Sequence, residues 1–340
     1  MRKGRIFKFV FLALILICGL LVLFRENIKN FIDNNRVVLV VNDTQIRKNE
    51  YKIRYNTLKE NAIQFSSRQD ILDQVINGKK YRDLLKDELF DVLIEETLCL
   101  QEIKRRNITL SSEEKKEVDK YISDIKSNSE MLKYFNEYLK KIGSDENRFR
   151  KDLEKTRLIN KLYSAVTQKV TVGDSEIKDY YMKNINAYKK VKIYDIFLEV
   201  KNGSEEAEKR KLAEKLIKEI KNGADISELA KKYSDDAITK KNGGIIDYFR
   251  RGEKEQSYGS VFEEEVFKLS KGELSNIIKT NLGYHIVKVI DVKTIPLEEV
   301  KDEIRSIVLK NKKNEVFNLF LKNLKESSKI KVFKEKVSEL

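Results

Sequence analysis

At 340 residues, with 41% hydrophobic and 36% charged side chains, the chain is long enough for two or three domains with sizeable cores and is not a disordered tail. Lysine and arginine (69) outnumber aspartate and glutamate (55), so the surface attracts anionic polymers, acidic lipid and acidic protein segments, although acids and bases alternate as on solvated helix faces. Zinc-finger spacing, a glycine-rich phosphate loop and a basic–aromatic stripe are all missing, and nucleic acid is not an expected partner.

The chain opens with MRKGRIFKFVFLALILICGLLVLFREN, four basic residues and then an apolar run from Phe9 to Phe24. The run is slightly short of the ~20 residues that span a bilayer, and snorkelling flanks or local thinning make up the difference. No small-x-small cleavage site follows it, so residues 1–35 read as an uncleaved anchor, with a cleaved signal segment and a lipid on Cys18 as alternatives. The basic cluster ahead of the run predicts a cytoplasmic N-terminus and a body on the extracytoplasmic side.

RVVLVVND (36–43) reads as a β-branched strand. QIRKNEYKIRYNTLKE, the span from ILDQV to KRRN, SSEEKKEVDKYISDIK and DENRFRKDLEKTRLINKLYSAV follow, all with apolar residues at helical spacing, which predicts a bundle or open helical cradle. Cys99 lies among apolar residues of LIEETLCLQEI and reads as a small packed hydrophobe.

Near Tyr188 the pattern changes. VKIYDIFLEV is a strand; RKLAEKLIKEIKNG is a helix with Leu212, Leu216, Ile217 and Ile220 on one side and Gly223 at its end. DISELAKKYS and SVFEEEVFKL are further helices, with Asp225/Glu228 and Ser260/Glu263 at capping-box spacing. KNGG is a turn, and NIIKT and YHIVKVIDV are strands. The order β-α-α-β-α-β-β fits a small α+β domain. After Pro296 a long amphipathic helix resumes and IKVF closes as a strand, so helix lies both before and after the α+β segment. The expected class is α+β: a discontinuous helical domain, 36–189 with 293–340, carrying an inserted domain at 190–292.

Inside that insert the stretches GADISELAKKYSDD, NGG with an apolar residue two positions on, FEEEVFKLSKGELSNIIKT and TNLGYHIVKV resemble the parvulin family of peptidyl-prolyl cis-trans isomerases, in the exported foldase and chaperone group. RVVLVVNDTQIRKNEY and LEEVKDEIRSIVL are similar to parts of the group's chaperone domain. The resemblance implies a four-stranded antiparallel sheet with helices, an isomerase that needs no cofactor, clients that are unfolded or partly folded exported polypeptides, and room for a homodimer. It places His285 at the histidine in the centre of the last strand, Thr280 at the hydroxyl residue five positions before it, Asp236 at a cysteine-or-aspartate position, Ile246 and Phe262 on the walls that hold the substrate proline, and Phe249 at an aromatic after the glycine turn. It also departs from the family: Asp195 stands where the first strand usually has histidine, Ile245-Ile246-Asp247 replaces Asp-Leu-Gly, and GEKEQSYGS lengthens the segment holding the second proline wall, leaving Lys254 and Tyr258 unassigned. Relatives with such substitutions can keep the fold as a peptide-binding module without detectable catalysis.

Read without the resemblance, His285 is the only histidine, and one histidine with one body cysteine cannot build the usual metal site. No G-x-S-x-G elbow accompanies it for hydrolase chemistry. Strand alternation puts His285 on a face with Val287 and Val289, and Asp195 on a face with Val191, Ile193 and Phe197. An imidazole and a carboxylate each facing an apolar side are costly alone, so a hydrogen-bonded pair is expected, direct or through Thr280 or water. Such a pair is equally consistent with a purely structural role.

Overall fold

The computed structural model describes residues 29–340. The apolar run of residues 9–24 and Cys18 therefore lie outside the described residues, as does the expected 1–35 anchor apart from residues 29–35. Among the described residues no helix is long and apolar enough to cross a membrane. The fold is α+β and forms two units: the chain up to Val170 with Lys313–Leu340, which is mainly helical and discontinuous, and Thr171–Lys312, which is inserted into it.

In the discontinuous unit, β1 (Val37–Val41) is a run of β-branched and leucine residues suited to a buried pleat, and Asn42, with φ 53°, turns it back into β2 (Thr44–Arg47). On the other side of β1 lies the C-terminal strand Ile330–Val332, antiparallel, with Leu39 opposite Val332 and Val41 opposite Ile330. That pairing joins the two separated chain segments together with the packing of Leu321 and Val337 on the helices before them. Against the sheet pack α1 (Lys48–Ser66) and, after a hairpin, α2 (Tyr81–Arg105), through Tyr51, Tyr55, Leu85, Leu89 and Phe90. The Tyr51 ring lies 4.8 Å from that of Phe90, and its hydroxyl donates to the Lys86 carbonyl at 2.8 Å.

The helix expected from Ile71 begins only at Tyr81. Residues Ile71–Asp73 form a 3-10 turn, and β3 (Val75–Ile76) and β4 (Lys79–Lys80) form a hairpin around Asn77-Gly78, at φ 51° and 79°. Two left-handed residues in an Asn-Gly pair match the twist of a two-residue hairpin, and this local preference overrides the apolar spacing. Three helices follow, α3 (Ser112–Ser127), α4 (Ser129–Ile142) and α5 (Glu146–Thr167). Each starts from a side chain that accepts the free amide hydrogens of the first turn: Ser111 with Glu114 in return, Asn128, and Asp145.

The inserted unit begins with α6 (Asp174–Lys183), followed by β5 (Lys189–Glu199), α7 (Glu206–Lys221), α8 (Ile226–Tyr233) and β6 (Ile245–Arg250). Then come a single turn, α9 (Glu255–Tyr258), α10 (Ser260–Val266), β7 (Ile278–Lys279), β8 (Gly283–Thr294) and α11 (Leu297–Glu326), whose first half belongs to this unit. The sheet is antiparallel in the order β6-β5-β8-β7. One face, with Ile196, Leu198, Tyr284 and Ile286, is covered by α7 and α8 through Ala213, Leu216, Ile220 and Ala230. The other, with Val191, Ile193, Val287 and Val289, receives Phe262 and Val266 from α10. Below the sheet, α6 and the start of α11 bury Ile177, Tyr181, Ile295 and Ile304, and the Tyr181 hydroxyl donates to the Ile295 carbonyl at 2.7 Å.

Candidate functional site: a buried His–Asp pair walled by aromatic rings

The register of β5 against β8 sets Phe197 opposite His285 and Asp195 opposite Val287. Asp195 and His285 are therefore diagonal neighbours on one face, within reach of each other's side chains. His285 Nδ1 lies 2.9 Å from Asp195 Oδ2, and the two side chains are 0% and 1% exposed. The pair is direct, without Thr280 in between. Three rings surround the imidazole: Phe197 stacks on it at 4.6 Å, Phe262 tilts against it at 4.8 Å and Tyr258 meets it edge-on at 5.6 Å. Among the described residues His285 Nε2 and Asp195 Oδ1 have no hydrogen-bond partner. A polar group buried in that way is costly unless something else completes it.

Asp236 sits beyond Tyr258 rather than beside the imidazole. Its Oδ1 accepts the Ile238 amide at 3.0 Å, and its Oδ2 accepts the Thr239 hydroxyl at 2.6 Å and the Tyr258 hydroxyl at 3.1 Å. Burial opposes its ionisation, but the hydrogen bonds from Thr239, Ile238 and Tyr258 outweigh it and hold the carboxyl below the usual carboxylate range. The Tyr258 phenol is pushed the other way, upward, by burial first and then by the charges of Asp236 and Asp195. It is a neutral hydrogen-bond donor at any physiological pH.

Ile246 pairs across the sheet with Ile193 and belongs to the same buried cluster as Phe262 and Val287. Phe249 lies further along β6, opposite Val191 and edge-on to Phe267 at 5.6 Å, and makes no ring contact with His285. Thr280 serves the turn into β8: its hydroxyl donates to the Gly283 carbonyl at 3.4 Å and accepts the Leu282 amide at 3.2 Å. The structure thus brings together His285, Asp195 and Phe262, links Asp236 to them through Tyr258, and gives Thr280 no hydrogen bond and Phe249 no ring contact with the imidazole.

The expected Ser260/Glu263 capping box does not form. Gly259 occupies the N-cap position of α10, with no side chain to offer, and Glu263 points inward, where its buried carboxylate accepts the Gly252 and Lys254 amides, each at 2.5 Å. Asp225 does cap α8, accepting the Ser227 and Glu228 amides, but Glu228 pairs with Lys231 instead of returning to the cap. Two neighbours of His285 have no place in the residue-by-residue resemblance: Phe197, which alternation places on Asp195's face, and Tyr258, four residues before Phe262 across the break at Gly259 and 4.9 Å from its ring.

The chain matches two family descriptions: a PPIC-type PPIase domain over residues 178–293 and a SurA-like N-terminal domain over residues 1–163. A foldase protein PrsA of Caldanaerobacter subterraneus subsp. tengcongensis is 32% identical over 303 residues, 88% of this chain and 88% of that protein. The chain belongs to the PrsA foldase family. A PrsA of Clostridium botulinum is 27% identical over 269 residues, 76% of each chain. A crystal structure of a peptidylprolyl isomerase (PrsA) from Bacillus anthracis is 26% identical and covers 69% of this chain and 93% of its own, with a TM-score of 0.31. In this PrsA-family chain the His285–Asp195 pair lies inside the PPIC-type domain.

Proposed function

We propose that this chain is an extracytoplasmic peptidyl-prolyl cis-trans isomerase and foldase, anchored in the membrane by residues 1–35, that assists exported polypeptides to fold. The reading is carried by one observation: the only imidazole of the chain is held by Asp195 and walled by Phe262 within a PPIC-type domain. Residues 190–292 are the catalytic module of this reading, and 36–189 with 293–340 the part that holds the client.

Rotation about a prolyl bond must break amide resonance, a barrier of ~18–20 kcal/mol, and requires no nucleophile. The catalyst has to grip the ring, exclude water from the carbonyl and favour the twisted amide over both planar forms. Phe262 and Ile246 supply apolar walls for the ring. Asp195 orients the imidazole through Nδ1, which leaves Nε2 as the group that meets the substrate amide. Asp236, tied to Thr239 and Tyr258, shapes the rim rather than exchanging protons.

A second reading, a holdase with a degenerate peptide clamp, is favoured by the helical unit. Between α1, α3, α4 and α5 lies a cleft of about 850 Å³ lined by Tyr121, Tyr134, Phe135, Tyr138 and Phe149. Tyr121 and Tyr134 are exposed, and apolar client segments would cover them. The full chain in mild detergent separates the two readings, with proline isomerisation of a short peptide and suppression of aggregation of an unfolded exported protein measured side by side. Catalysis that is lost in a folded His285→Ala variant while suppression persists supports the isomerase. Suppression by wild type without any catalysis leaves only the holdase.

A further inference from the structure

Of the three rings around His285, Phe262 is fully buried, whereas Phe197 and Tyr258 reach the surface in part. These two are the cover of the imidazole. Phe197 is fixed in β5: its strand pairs with β8, its amide donates to Ser234 Oγ at 3.2 Å and its carbonyl accepts the Asp235 amide at 2.7 Å. Tyr258 is held differently. It ends a one-turn helix set between Gly252 and Gly259, both left-handed at φ 86° and 89°, and a side chain added at either glycine would touch nothing within 4 Å. That segment sits in open surroundings, and two ties secure it: the Glu263 carboxylate on the Gly252 and Lys254 amides, and the Tyr258 hydroxyl on Asp236.

We propose that Tyr258 closes the proline slot of the free protein, and that its hydroxyl must release Asp236 before a prolyl residue reaches His285. The proposal rests on the isomerase reading and assigns the slot its entry-controlling residue. Closure leaves Nε2 of His285 and Oδ1 of Asp195 without partners, so an incoming amide or carbonyl gains a hydrogen bond that the closed arrangement lacks. Entry in turn costs the Tyr258–Asp236 bond and the packing of Tyr258 on Phe262. Affinity for the peptide is then lowered by the fraction of molecules that are closed. Tyr258 thereby favours clients whose residues flanking proline replace the contacts of its ring.

Because His285 is the only histidine of the chain, carbethoxylation by diethyl pyrocarbonate reads its accessibility directly, before any substrate is added. In the full-length protein the wild-type rate is expected to be far below that of the unfolded chain. Tyr258→Phe, which keeps the ring and removes the tether, should raise the rate several-fold and tighten binding of a short prolyl peptide by about tenfold, or about 1.4 kcal/mol. Tyr258→Ala should raise the labelling rate further while weakening turnover, because a wall of the slot is gone.

If wild type binds the peptide and Tyr258→Phe matches it in both labelling rate and affinity, the tether does not control entry and the proposal falls, with the isomerase reading intact. Wild-type labelling as fast as in the unfolded chain also overturns it, since His285 is then not covered. Failure of wild type and both variants to bind any prolyl peptide sinks the isomerase reading and takes the proposal with it.

Discussion

Gly244 ends the turn between α8 and β6 and lies against β5, the strand that carries Asp195, and its replacement by alanine measures how tightly that junction is built. The residue is left-handed at φ 75°, and a Cβ there would stand 2.3 Å from the Asp195 carbonyl oxygen and 2.9 Å from Ala230 Cβ, where ordinary contact begins at 3.4 Å. The backbone conformation alone costs an alanine ~1–2 kcal/mol. Relief of the overlap requires β5 and β6 to separate by about 1 Å, which strains the 2.8 Å bond from the Asp195 amide to the Gly244 carbonyl. Overpacking of that kind adds ~1–3 kcal/mol, for a total of ~2–5 kcal/mol against the ~5–15 kcal/mol of a typical domain. The same displacement draws Asp195 Oδ2 away from His285 Nδ1, so isomerisation should fall as well. Gly252→Ala is the control: φ is 86° but nothing lies within 4 Å, so only the conformational cost applies. With two units in the chain a bulk melt is not two-state, and amide hydrogen exchange of residues 189–199 and 245–250 is the appropriate measure. Equal loss of protection in Gly244→Ala and Gly252→Ala would refute the close approach of Gly244 to β5.

Phe262→Ala should destabilise the inserted unit by ~3–5 kcal/mol, because the ring is wholly buried between His285, Tyr258 and the sheet, and Phe262→Leu by much less; denaturant titration followed by exchange in α10 and β8 checks this. Glu102 is held by Arg105, against the cost of burial, and by Arg106, which together bring its carboxyl down to about 2. Its contribution to stability is complete above the ordinary glutamate value of 4.5 and fades as pH falls toward 2, so Glu102→Gln should cost on the order of 2 kcal/mol at neutral pH, after allowance for the exposed Arg105, and almost nothing near pH 2. A difference between the two proteins that is independent of pH would contradict this. Cys99 is buried, and burial followed by the nearby Glu95 and Glu96 pushes its thiol up to about 11; alkylation of the native protein near pH 8, read on the Cys99 peptide by mass spectrometry, should be at least about a hundredfold slower than after unfolding.

Period-two alternation is a local property, and it carried the most difficult part of the site from the sequence. It placed Asp195 and His285 on apolar faces before any pairing was known, and the register of β5 with β8 then put them 2.9 Å apart. The discontinuous architecture was legible for a similar reason, since helical spacing stops before β5 and resumes after Pro296. Other features depended on competition between signals. Asn77-Gly78 imposed a hairpin where apolar spacing suggested helix, and Glu263 stood at capping distance from Ser260 but met a turn with free amides instead. Tyr258 was out of reach because residues 251–259 follow no repeat that fixes which side chain turns inward; only the fold shows its ring against Phe262 and its hydroxyl on Asp236. Thr280 has the right distance along the chain from His285, yet its hydroxyl is consumed by the turn between the last two strands.

The antiparallel partnership of Val41 with Ile330 has a bearing on the order in which the polypeptide folds as it is made. Every contact of the insert is available once its own contiguous stretch has emerged, whereas the split unit must wait for the final strand before its sheet is complete. A chain built on this plan completes its PPIC-type unit first, and its discontinuous helical unit only when synthesis is nearly finished.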